Sequence, residues 1–185
     1  MTPLILGLLL FFVPHLLVGT PPMVRLKAAI GEGPYKGLFS LLSVAGLGLM
    51  IWAMPKAPDG LLWYPPLWTR HIAPLLMLLS CYLILASVLG GKITARTAHP
   101  QSLGILCWAS AHLLANGEEN AFLLFGSFAL YSLISIWRQD RRGVRARLRR
   151  GRLGSRHELW LAMLALGLYL TLLAAHPHLF GAALA

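Results

Sequence analysis

Six predominantly apolar runs dominate the chain, at residues 3–20, 37–54, 71–90, 100–116, 121–137 and 158–176, each about 16–20 residues long. At ~1.5 Å of rise per residue, such a run is close to what an α-helix needs to cross a ~30 Å hydrocarbon core. Lipid offers the backbone no hydrogen-bond partner, so a spanning segment must satisfy its own N–H and C=O groups, and a helix does that. The alternation of apolar and polar residues that marks a membrane barrel is missing. Charged residues make up only 12% of the chain against 57% hydrophobic, where a soluble domain carries about 25% charged. The expectation is an all-α, polytopic membrane helix bundle of about six transmembrane helices, a single membrane-embedded domain over residues 1–185.

The breaks carry recognisable punctuation. The first run lacks a basic leader and ends at Val18-Gly19-Thr20-Pro21-Pro22, a poor cleavage context, which reads as a retained helix. Pro21-Pro22 closes that helix, and Gly31-Glu32-Gly33-Pro34 reads as a turn before the second. Pro100 sits well at a first helical position, and Asn116-Gly117 closes the fourth run.

Basic residues set the orientation. Nine of the sixteen lie between Arg138 and Arg156, in the fifth loop. Arg25, Lys27 and Lys36 are in the first loop, Lys92 and Arg96 in the third, and only Lys56 and Arg70 in the even loops. The positive-inside rule puts the odd loops in the cytoplasm and both termini outside. In such a chain the arginine cluster fixes topology and meets anionic lipid headgroups; it does not point to nucleic acid. Trp63, Tyr64 and Trp68 fit an outer aromatic belt, and Trp137 and Trp160 an inner one.

Ionisable groups deep in hydrocarbon are costly and mark functional sites by default. Two qualify here, His15 in the first run and His112 in the fourth. Each lies ~18 Å from the start of its helix, and the two helices run in opposite directions, so both fall near the midplane. Two such imidazoles suit axial ligation of a haem; they also suit hydrogen bonding that holds helices together. Trp108, His112 and Asn116 are spaced by four and share one helix face. That face can line a cofactor pocket or form a polar seam between helices. His99, before Pro100, is either a capping residue or part of a headgroup or cofactor site. His71 and His157 fall at interfaces, and His176 and His178 read as an exposed tail beyond the sixth run. Cys81 and Cys107 sit in apolar runs and act as small hydrophobes. Gly46, Gly48, Gly104 and Gly126 permit close helix packing. No phosphate loop, zincin motif or nucleophile elbow occurs, and no acidic residue lies mid-helix.

The stretch His99-Pro100-Gln101-Ser102-Leu103-Gly104, with Trp108, His112-Leu113-Leu114 and Asn116-Gly117, resembles the NnrU family of bacterial membrane proteins. Pro14-His15, Arg25, Gly31-Glu32-Gly33, Tyr35 and Leu38-Phe39-Ser40-Leu41 carry the same resemblance through the first third of the chain. The plant and cyanobacterial relative in that family is 15-cis-zeta-carotene isomerase, which holds haem b among its membrane helices. The resemblance implies a multi-pass protein of the bacterial inner membrane, with haem b ligated by His15 and His112. Arg25, and with it Lys27, would then pair with the propionates. It also implies a redox or isomerase-like role linked to nitrogen-oxide or isoprenoid metabolism, with a hydrophobic small molecule as substrate. Ala109 stands where that isomerase carries a cysteine that can replace a histidine ligand. The alternative is a cofactor-free membrane accessory or assembly protein. A weaker resemblance, around Thr97-Ala98-His99-Pro100, is to membrane methyltransferases of the isoprenylcysteine type; the adjacent arginine and the tyrosine of their motif are missing here.

Overall fold

The computed structural model describes residues 1–143 and 154–180. Among these are seven α-helices: α1 (Thr2–Leu17), α2 (Pro21–Ile30), α3 (Glu32–Ala53), α4 (Thr69–Leu89), α5 (Pro100–Ala115), α6 (Glu119–Arg141) and α7 (Ser155–Phe180). Short 3-10 turns occupy Met54–Lys56 and Lys92–Ala95. The described residues form no strand, only one isolated bridge between Leu61 and Glu118. The chain divides into two compact units, Met1–Gly60 and Leu61–Ala185. Arg145, Arg147, Arg149, Arg150 and Arg152 of the basic cluster lie outside the described residues.

All six apolar runs are helical, as their composition requires. Four helical segments are long and apolar enough to cross a membrane: Glu32–Lys56, Thr69–Leu89, Glu119–Arg141 and Ser155–His178. Helices α1 and α2 pass that test only together, as a pair bent by 91°, making a fifth. Length and apolarity thus give four to five candidate spans where six were expected; α5, with 16 residues, falls short of that test. Between 11% and 28% of the residues in the four windows are buried within the protein. Leu41, Val44 and Val88 are 66%, 70% and 76% exposed. In water that surface would cost about 25 cal/mol per Å²; in lipid it costs nothing.

Three expectations are corrected. The segment after the first run is not a loop but the ten-residue helix α2. Helix α1 stops at Leu17, before the expected Pro21-Pro22; the two prolines start α2 instead, because a proline at the first helical positions gives up an N–H that has no partner there anyway. The turn expected over Gly31-Glu32-Gly33-Pro34 contracts to Gly31, with φ +87°, and Glu32 to Pro34 already belong to α3. His176 and His178 are not on a tail: α7 continues through Pro177 to Phe180. A proline so near a helix end loses one hydrogen bond while keeping a helical φ.

In the first unit α1 packs on α3 through two glycines. A Cβ on Gly46 would stand 2.8 Å from the Phe11 nitrogen and 2.9 Å from the Gly7 oxygen, so the backbones touch. In the second unit α5 lies against α4 and α6, and α7 against α4. Gly104 gives α5 its approach to α4, for a Cβ there would meet Ile84 Cγ1 at 2.8 Å. Gly48 and Gly126, grouped with these by sequence, face open space. The first turn of α7 is tied to the end of α4: His157 Nε2 donates to the Gly90 oxygen at 2.9 Å, and Glu158 accepts from Tyr82 OH at 2.9 Å and Lys92 N–H at 2.6 Å.

Candidate functional site

Each unit presents one half-buried imidazole prepared in the same way. In the first unit, His15 lies near the end of α1, and its Nδ1 donates to the Phe11 carbonyl at 2.6 Å. The ring stacks on Phe11, with centroids 4.3 Å apart, and meets Phe39 of α3 at 4.7 Å. In the second unit, His112 Nδ1 donates to the Trp108 carbonyl at 2.9 Å. Its ring stacks on Phe125 of α6 at 4.2 Å and contacts Trp108 at 5.2 Å. A carbonyl only accepts, so Nδ1 carries a proton in both. A histidine that binds a metal characteristically donates its other nitrogen to a carbonyl or carboxylate, which fixes tautomer and orientation. The donor set at each position therefore fits an axial ligand of haem iron.

Around His112 the setting is aromatic. Trp108 packs edge-on against Phe125 and Phe128, both at 5.1 Å. Trp108 also lines an apolar recess of about 220 Å³ together with Met77, Cys81, Ile84 and Leu168. Asn116 shares the Trp108 and His112 face, but its side-chain nitrogen donates to the His112 carbonyl at 2.8 Å, closing the helix end. The turn after it is held from outside: Trp63 Nε1 donates to the Asn116 oxygen at 3.2 Å, and Leu62 N–H to the Gly117 oxygen at 2.8 Å. A Cβ on Gly117 would run into the Trp63 carbonyl, so only glycine fits.

Arg25 is exposed on α2. Lys27 lies 3.5 Å and Lys36 2.7 Å from Glu32, so that carboxylate already offsets part of their charge. Arg25 is the better placed of the expected pair to meet an outside anion.

His99 precedes α5 as its N-cap residue, without a side-chain capping bond. Its ring is 7% exposed and turns instead to the end of α6, with Nε2 2.6 Å from Asp140 Oδ1 and Nδ1 3.4 Å from Gln139 Oε1. Gln139 Nε2 donates to Ser135 Oγ at 2.9 Å, which turns its oxygen toward the histidine. Sequence reading singled out His99 but missed Asp140, because no spacing rule links the ends of two helices. It placed His176 on an exposed tail and so missed its approach to His112: the α7 imidazole lies 6.4 Å from His112 between ring centres, with the planes 28° apart. No cluster of three or more potential metal-ligating side chains occurs among the described residues.

Long apolar helices with side chains turned outward, and imidazoles held among aromatic rings inside them, define a helical multi-pass membrane protein. A family model described as NnrU protein matches residues 3–184. The chain belongs to the NnrU family, and the match covers both units. No curated protein and no solved structure matches it.

Proposed function

We propose that this NnrU protein binds haem b through His15 and His112 and serves a redox or isomerase-like role at the bacterial inner membrane, in nitrogen-oxide or isoprenoid chemistry. The observation that carries the reading is the matched preparation of the two rings, each with Nδ1 committed to the carbonyl four residues back. That bond commits Nδ1, so a metal would be held through Nε2. Phe11 and Phe125 hold the ring planes by stacking, so little rotational freedom is lost on ligation. Arg25 on α2 supplies a guanidinium for a propionate. Bound haem, held by His15 and His112, would supply one-electron chemistry. The apolar recess beside Trp108 would accept a hydrophobic small molecule.

The membrane placement belongs to the same proposal: six crossings, odd loops in the cytoplasm, both termini outside. With α1 crossing, the 91° bend lays α2 along the membrane surface, where Arg25 and Lys27 meet anionic headgroups.

Protein purified from cells with ample haem should show a Soret band and sharp reduced bands. His112→Ala should lose that spectrum while far-ultraviolet circular dichroism keeps its helical amplitude. A colourless wild-type protein would favour the cofactor-free accessory reading, in which both histidines are packing residues.

A further inference from the structure

We propose that the apolar recess of the Leu61–Ala185 unit binds a membrane-soluble cyclic carbonyl compound, a single substituted ring whose carbonyl oxygen accepts a hydrogen bond from Ser80. The proposal rests on the reading of that recess as a small-molecule site, names the chemical class it takes, and is independent of haem. The recess is lined by Ser80 and Cys81 of α4, Trp108 of α5, and Leu168 and Leu172 of α7. Each of these residues lies near the middle of its helix, and α4 and α7 are long and apolar enough to span. A ligand therefore reaches the recess from the hydrocarbon, past Leu172, which is 41% exposed.

Ser80 carries the argument. It is 2% exposed. Ser43, Ser127 and Ser132 donate their hydroxyls to a carbonyl of their own helix, at 2.7, 2.7 and 2.8 Å. Ser80 makes no such bond, and its hydroxyl has no other partner among the described residues. Among those residues no side-chain oxygen is both fully enclosed and unpaired, so the Ser80 hydroxyl is the part left open, and the space it borders is the recess. A dry, unpaired hydroxyl is costly, and a bound acceptor removes the cost. A water needs about two to four polar partners, more than these apolar walls supply. A lipid acyl chain would leave the hydroxyl unpaired. An alcohol meeting a single hydroxyl leaves one of the two protons without an acceptor, whereas a carbonyl leaves none. The indole N–H of Trp108 likewise has no partner among the described residues and can only donate, which also favours an accepting ligand. Size sets the rest: the recess holds about 220 Å³, and an apolar cavity of about 150 Å³ already takes a benzene ring.

Two probes of one shape test this: acetophenone, and α-methylstyrene, in which a methylene replaces the carbonyl oxygen. Saturable binding is measured by equilibrium dialysis of the full chain in lipid nanodiscs, with protein-free nanodiscs as the blank. Wild-type protein should bind acetophenone about three- to tenfold more tightly than α-methylstyrene, the range of one net hydrogen bond. Ser80→Ala should abolish that preference and still bind α-methylstyrene as wild type does, which shows that the recess is intact. Equal affinity of wild-type protein for the two probes overturns the carbonyl assignment and leaves the recess standing as a site for hydrocarbon. A preference that survives in Ser80→Ala, or equal weakening of both probes by that change, overturns the role of Ser80. If neither probe binds saturably, the reading of the recess as a small-molecule site fails, and the proposal with it.

Discussion

His99 and His112 both belong to α5, yet their surroundings assign them different work. The His112 ring is held between aromatic rings with one nitrogen committed to its own helix, whereas His99 has both nitrogens facing side-chain oxygens of α6. A 7% exposed imidazole loses most of its water on folding, and the Asp140 carboxylate at 2.6 Å replaces it. Asp140 is 62% exposed, so solvent screens the pair and its worth stays near that of an ordinary net hydrogen bond. Asp140→Ala should destabilise the protein by about 1 kcal/mol in a detergent unfolding titration. In the His99→Leu background the same change should cost close to nothing, because the buried donor has gone too. Equal costs in both backgrounds would mean that the pair is incidental. The histidine was legible in the sequence by its place before Pro100; its carboxylate partner, 41 residues on, was not, since it depends on how two helix ends meet.

Helix existence in this chain follows from apolar length, and each of the six runs indeed became a helix. What lay beyond sequence reading were short elements and faces. Helix α2 has ten residues and mixed character, too few to register as a run, and Pro21-Pro22, read as a stop, is a start. Four glycines looked alike in sequence, but only Gly46 and Gly104 lie where a neighbouring helix touches backbone. Helical periodicity says which residues share a face and leaves open which face meets protein and which meets lipid. That distinction is measurable. Gly46→Val should force α1 off α3 and cost about 1–3 kcal/mol, the usual range for overpacking. Gly48→Val, two residues away in open space, should shift stability by less than about 0.5 kcal/mol. A matching loss in both would mean that glycine content, not the contact with Phe11 and Gly7, sets the stability of the first unit.

At the scale of the whole molecule the number of crossings turns on α5. Its 16 residues rise ~24 Å, some 6 Å short of a typical hydrocarbon core. Two arguments support the crossing proposed for it. Helices α5 and α6 are joined at one end by the short Asn116–Glu118 turn, and at the other His99 meets Asp140, so the two run antiparallel along their full length. Helix α6 is long and apolar enough to span, and the proposed topology has α5 beside it do the same. If α5 stayed on one side, Arg138 to Arg156 would emerge opposite Lys92 and Arg96, and nine arginines would face outward against the positive-inside rule. Thinning the bilayer costs only fractions of a kcal/mol per Å of mismatch, far less than exporting that cluster. Single-cysteine variants treated with a membrane-impermeant maleimide on intact spheroplasts give the answer. Asp59→Cys should label from outside, whereas Thr94→Cys and Gly143→Cys should both label only after permeabilisation. Labelling of Gly143→Cys from outside, with Thr94→Cys protected, would show that α5 does not cross. Thr2→Cys reports on the N-terminal pair in the same experiment: outside labelling means that α1 spans and α2 lies on the inner surface, and protection means that the bent pair re-enters from the cytoplasmic side.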